Sequence, residues 1–255
     1  MIESLMDLTD LARAQILSAF YVFLRLGAAM ALLPAFGERM VPLRVRLVLT
    51  LAFTAIVTPA VAQDAVPSQV LGFALGTEVV IGLALGAILR LFVLGLQIAG
   101  SIAAQSVSLA QIFGTQAVDA MPAIGHVITL SGLTIAVIAG LHLKVAEFLI
   151  LSYELMPLGR FPEPEDLTSW GVARTAQAFG LGFTLAAPFV ITSVIYNLAL
   201  GAINRAMPQL MVAFVGAPAI TAGGLILLAL ALPFMLQIWL SAMDGFFANP
   251  SVANR

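Results

Sequence analysis

The chain has 255 residues, of which 61% are hydrophobic and only 9% charged, with a formal net charge of -2 and a mean hydropathy of +1.07. That composition lies outside what a single soluble core requires and marks an integral membrane protein. It also excludes several classes: without cysteine there is no disulfide framework or thiolate metal site, and with no basic cluster beyond Arg39, Arg44 and Arg46 nucleic acid is not an expected partner.

A hydrocarbon layer about 30 Å thick takes roughly 20 apolar residues as a helix. The chain offers several such runs, apolar on every side in stretches such as Val79 to Leu96, where a transmembrane barrel would alternate. The fold class expected is therefore an all-α membrane protein with about six long hydrophobic helical segments, some broken or kinked.

The N-terminal MIESLMDLTDLARAQ is acidic where a cleavable signal would begin positively, and it reads as part of the mature protein. The first apolar segment runs from about Ala14 to Phe36 and contains Arg25; GERMVPLRVR, Gly37 to Arg46, follows as a connection. Leu47 to Ala62 is a second segment, short for a span and closed by Pro59, Asp64 and Pro67. Val70 to about Leu109 overshoots one crossing and is interrupted only by Glu78, Arg90 and Gln97.

From Ala110 to Gly125 the apolar period fails, and Gly114, Asp119, Pro122 and Gly125 mark irregular backbone. His126 to Leu151 resumes as helix. Tyr153 to Trp170, rich in proline and acidic residues, reads as the main water-exposed loop. Ala176 to Ile203 is a fifth segment, and Leu210 to about Leu240 a sixth, punctuated by Pro218, Gly223, Gly224 and Pro233. No fixed-period repeat is present, and one membrane domain, 1–255, is the economical count.

A charge at the bilayer centre costs roughly 2.5 to 3.5 kcal/mol on insertion scales, so each needs a partner or a wet cavity. Lys144 and Glu147 are close enough on one helix to pair locally. Arg25, Glu78 and Arg90 are not: they either snorkel to an interface or pair between helices or subunits, with a proton or ion pathway as the sharper alternative. Gly82, Gly86, Gly95 and Gly100 allow neighbouring backbones to approach closely. No nucleophile and base set, phosphate-cradling loop or metal-spaced cluster stands out, so neither enzymatic activity nor a cofactor is expected.

Three stretches carry a resemblance: GERMVPLRVRLVLTLAF (Gly37 to Phe53), GLHLKVAEFLILSYELMPLG (Gly140 to Gly159) and NLALGAINRAMPQLMVAFVGAPAI (Asn197 to Ile220). With the E-R-x-V-P-x-R-x-R pattern in the first and N-L-A-L-G-x-x-N-R-x-x-P-Q-L in the last, the chain resembles the FliR family of flagellar and virulence type III export-gate proteins. Its last motif looks closer to the flagellar branch. It departs from the family at Ser101, where a glutamate is frequent, and at Ala213 and Ala217, where larger residues are common.

The resemblance implies a single-copy subunit of a helical export-gate assembly in the bacterial inner membrane, within the flagellar basal body. Its implied partners are FliP and FliQ, with FlhB around the entrance, and the implied cargo is unfolded flagellar subunits. It further implies that the part up to about residue 200 is FliP-like and that residues 201–255 with the preceding helix are FliQ-like.

A pore plug maps onto about Ser106 to Pro122, with Ile112, Phe113 and Met121 as closing side chains and Gly114 as a joint. Assembly contacts map onto Glu38, Arg39, Pro42, Arg44, Arg46, Asn204, Arg205, Pro208 and Gln209. The competing reading from the residues alone is a small polytopic solute transporter with a midplane site between broken helices.

Overall fold

A computed structural model describes residues 2–61, 71–107, 123–207 and 212–250. Among these residues there are seven helices and no strand: α1 (Ile2–Met30), α2 (Leu43–Val61), α3 (Leu71–Ser106), α4 (Ala123–Ile138), α5 (Leu141–Leu155), α6 (Pro164–Ala206) and α7 (Val212–Ala248). Four helices are long and apolar enough to cross a membrane, or up to five spans if the bent pair α4 and α5 is one. In hydrocarbon every backbone amide must be satisfied within the segment, and helices do this. The protein is an all-α, multi-pass membrane protein.

Each of the six expected segments contains a helix, and the fourth contains two. Gly140, at φ 81, sits in the left-handed region between α4 and α5, a conformation glycine adopts without steric cost. The expected loop from Tyr153 to Trp170 is corrected at both ends: Tyr153 belongs to α5, and α6 already starts at Pro164. Proline at the first helical position followed by Glu165 and Asp166 in the first turn is a favourable helix start, because the missing N–H is not needed there and the carboxylates face the positive end of the dipole. In α7 the helix continues through Gly223, Gly224 and Pro233, since leaving it within a span would orphan backbone groups.

The chain forms two compact units, one of Met1–Leu91 with Val137–Arg174 and one of Phe92–Ala136 with Thr175–Pro250. In the first, α1 buries Ser18, Tyr21, Val22, Arg25, Leu26, Ala29 and Met30, a stripe at helical spacing. The first half of α3 buries Ala74, Thr77, Glu78, Ile81, Leu85 and Leu89. These two stripes meet at glycines. A Cβ added to Gly86 would lie 2.6 Å from the Ala29 carbonyl oxygen, and one added to Gly82 would clash with the Arg25 carbonyl. Gly82 and Gly86 are thus a small-xxx-small pair that lets α1 and α3 touch backbone to backbone.

The second unit is packed by the same means. A Cβ on Gly100 would fall 2.5 Å from the Gly125 Cα, and one on Gly182 would come within 3.1 Å of the Gly95 carbonyl. The fully buried Trp239 of α7 fills the space between helices and donates its indole N–H to the Phe92 carbonyl at 2.9 Å, satisfying the one polar atom it brings into the core. The Phe92 and Phe246 rings lie 5.6 Å apart beside it.

Because Gly82 has no room and Gly76 has nothing within 4 Å of its added Cβ, the two positions should respond oppositely to alanine. Gly82→Ala should destabilise the detergent-purified protein by about 1–3 kcal/mol through overpacking. Gly76→Ala should be neutral or up to about 1 kcal/mol stabilising through helix propensity. Chemical unfolding of both variants checks this, and equal effects would contradict the close approach of α1 and α3.

Candidate functional site

The charges that composition could not explain are paired within the first unit. Arg25 of α1 and Glu78 of α3 are both 0% exposed, with Nε donating to Oε2 at 2.6 Å and Nη2 to Oε1 at 3.2 Å. Arg25 Nη1 donates to the Ser152 carbonyl and hydroxyl oxygens, each at 3.2 Å, and Nη2 also to the Met156 carbonyl at 3.0 Å. These contacts engage all five guanidinium N–H groups. Glu78 Oε1 accepts a further bond from the Gly159 backbone N–H at 3.0 Å, and the Tyr153 ring stacks under the guanidinium, its centroid 3.7 Å from Cζ.

Local sequence explains the arrangement. Glu78, Gly82 and Gly86 are four apart, so the glycine stripe that admits α1 also aims the carboxylate at it. Ser152 and Met156 lie at the C-terminal end of α5, where the Ser152 carbonyl accepts the Met156 N–H and still has a lone pair for Arg25, and where the negative end of the helix dipole favours a cation. Gly159, at φ 75, makes the left-handed turn that brings its N–H back to Glu78. Arg25 thus joins α1, α3, α5 and the connection after α5.

The nine residues mapped as assembly contacts separate into four groups. Glu38 receives the Arg90 guanidinium in a half-buried ion pair, and its carbonyl accepts from Arg46 Nη2 at 3.2 Å. Arg39, Pro42 and Arg44 are exposed in the same unit, at the turn into α2. Asn204 and Arg205 are exposed at the end of α6 in the second unit. Pro208 and Gln209 lie outside the described residues, as do Ile112, Phe113, Gly114 and Met121.

At that end of α6 an open groove of about 560 Å³ is lined by Asn197, Leu198, Gly201, Ala202, Arg205 and Ala206. Asn197, Gly201 and Arg205 are spaced by four, which puts them in one row on the helix. Among the described residues Arg205 has no ion pair or hydrogen-bonding partner. Ser101, the departure in α3, donates to the Ile98 carbonyl of its own helix at 2.9 Å and needs nothing else.

Sequence reasoning missed Ser152, Met156 and Gly159 as partners, because two of the three contribute backbone groups. The glycine stripe was the signal available: a face that touches another helix at Gly82 and Gly86 cannot leave Glu78 in lipid.

Removing one partner of a buried pair leaves an uncompensated charge, so Arg25→Leu and Glu78→Leu should each destabilise by about 3–5 kcal/mol, and the two together by clearly less than the sum. A double-mutant cycle by chemical unfolding in detergent measures the coupling. A coupling below about 0.5 kcal/mol would show that the two side chains act independently.

Comparison with known proteins covers nearly the whole chain. The sequence model of the family described as "Bacterial export proteins, family 1" matches residues 16–246. A flagellar biosynthetic protein FliR from Caulobacter vibrioides is 34% identical over 231 residues, covering 88% of this chain and 92% of that protein. FliR proteins from Aquifex aeolicus and Escherichia coli are 31% and 28% identical, covering 88% and 85% of this chain and 89% and 84% of their own lengths. The chain belongs to the FliR family of bacterial export proteins.

Proposed function

We propose that the protein is a non-enzymatic structural and gating subunit of the flagellar export channel in the bacterial inner membrane, passing unfolded flagellar subunits. In this reading it assembles with FliP and FliQ, and FlhB sits at the entrance. The relatives from Caulobacter vibrioides, Escherichia coli and Aquifex aeolicus carry the flagellar name, which favours a flagellar over a virulence system.

The observation that carries the reading is the polar row at the end of α6. Exposed Asn204 and Arg205 on a helix of a membrane protein have no side-chain partner among the described residues, and an unpaired cation in an apolar setting is costly. A subunit interface would supply partners. Helix lengths agree: α3, α6 and α7 have 36, 43 and 37 residues, so at 1.5 Å per residue each exceeds about 50 Å, against a hydrocarbon core of about 30 Å. Helices of that length have room to project beyond the bilayer into an assembly.

The transporter alternative needs an intramembrane carboxylate free to carry a coupling ion. Glu78, with a fully buried side chain, already accepts three hydrogen bonds, which argues against that role. The segment from about Ser106 to Pro122 serves in our reading as the pore plug; the support is its chemistry, with Ile112, Phe113 and Met121 suited to closing a narrow pore by dewetting.

Mild detergent extraction followed by native mass measurement should give a mixed complex with one copy of this chain, and a stable, transport-competent homo-oligomer would overturn the proposal. Arg205→Ala should lower recovery of that complex about tenfold or more, as loss of a charged contact worth roughly 1.5–3 kcal/mol requires, while leaving membrane insertion unchanged.

A further inference from the structure

Two polar atoms in the first unit are left over by the contacts around Arg25. The hydroxyls of Tyr21 on α1 and Tyr153 on α5 are buried, and neither has a hydrogen-bonding partner among the described residues. The residues that carry them are 0% and 4% exposed. Buried hydroxyls are nearly always bonded, because an unpaired one forfeits its hydration and regains nothing. Phenylalanine would fill both places without that cost, so the two tyrosines match their sites only if each oxygen has a partner.

Both tyrosines belong to the surroundings of the ion pair. Tyr21 lies one turn before Arg25 on the buried stripe of α1. The Tyr153 ring lies under the guanidinium, 3.7 Å from its centroid to Arg25 Cζ. The guanidinium itself offers the phenols nothing, since its five N–H groups are engaged and it has no acceptor. Acceptor capacity does remain at the pair: Glu78 Oε2 takes one bond, from Arg25 Nε, where a carboxylate oxygen has room for two.

We infer that the core of the first unit is a binding site for ordered water, held by the Tyr21 and Tyr153 hydroxyls beside the Arg25 and Glu78 pair. Burial and charge select the occupant. A group from another protein or from a lipid does not reach an atom that the unit itself encloses. An ion would bring net charge into a site where Arg25 and Glu78 already balance, and a buried charge without a counterion is costly. Water is neutral, small, and both donor and acceptor, and buried waters typically bond about three groups that have no other partner. The inference rests on the packing of α1, α3 and α5 and not on the export role.

A millisecond X-ray pulse makes hydroxyl radicals from water in place and so marks side chains that touch internal water where bulk solvent does not reach. Applied to the full-length protein in detergent, it should label Tyr21 and Tyr153. Trp239 is the control: it is fully buried and its one polar atom is already bonded to the Phe92 carbonyl, so it should stay unlabelled. Tyr21→Phe and Tyr153→Phe, which keep the rings and remove only the oxygens, should each raise the unfolding constant about threefold or more as the bonded hydroxyl is lost. Two unlabelled tyrosines, or labelling that Trp239 shares, would overturn the inference. So would a lower unfolding constant in both variants, because removing an oxygen that has no partner relieves the protein of an unpaired polar group.

Discussion

A guanidinium with no exposure to solvent, in a chain that spans a membrane, constrains everything near it. Arg25 meets the constraint by donating through every N–H it has, to Glu78, Ser152 and Met156. Such saturation is possible only if α1, α3 and the end of α5 converge on one point. Gly82 and Gly86 permit the convergence, since any side chain there would push α3 away from Arg25 and Ala29. Gly159 closes it by turning its N–H onto the carboxylate. The pair therefore contributes specificity more than net stability: taking both ions out of water is costly, and the attraction between them only roughly offsets that.

The distribution of polarity follows from the same solvent. In both units the exposed surfaces are rich in leucine, isoleucine, valine and phenylalanine, while arginine, glutamate, serine and threonine appear among the buried residues. Lipid gives apolar side chains no reason to prefer the interior, so packing rests on small residues and on hydrogen bonds between helices. This distribution gives the exceptions their meaning. Arg39 and Arg44 at the start of α2, and Asn204 and Arg205 at the end of α6, are polar groups directed outward. The first pair stands at the start of an apolar helix; Arg205 of the second lines a groove of about 560 Å³ at the end of α6.

Much of the helical architecture was legible because runs of some twenty apolar residues have one solution in hydrocarbon. The close approach of helices at Gly82, Gly86 and Gly100 was legible for a related reason: glycine within a span costs helix propensity unless something packs against it. It was also clear that Arg25, Glu78 and Arg90 lacked local partners. Which of them pair was not, because Arg25 and Glu78 are 53 residues apart and Arg90 and Glu38 are 52 apart, and local pattern carries no information at that range. The start of α6 was missed because PEPED reads as a loop by composition, although proline and two acids also make a strong helix start. Gly140 was hidden within an apolar run that hydropathy alone reads as continuous.

The account treats the Arg25 and Glu78 pair as a joint in the fold of an export subunit and not as a path for protons. Secretion of flagellar subunits by cells whose only copy of this chain carries Arg25→Leu with Glu78→Leu tests that directly, with recovery of the assembled complex measured in parallel. The account predicts that export follows the amount of complex assembled, with secretion per complex unchanged within about twofold, a free-energy difference of only about 0.4 kcal/mol. A variant that assembles normally but exports nothing would contradict it, and would make the buried pair part of the machinery that drives transport.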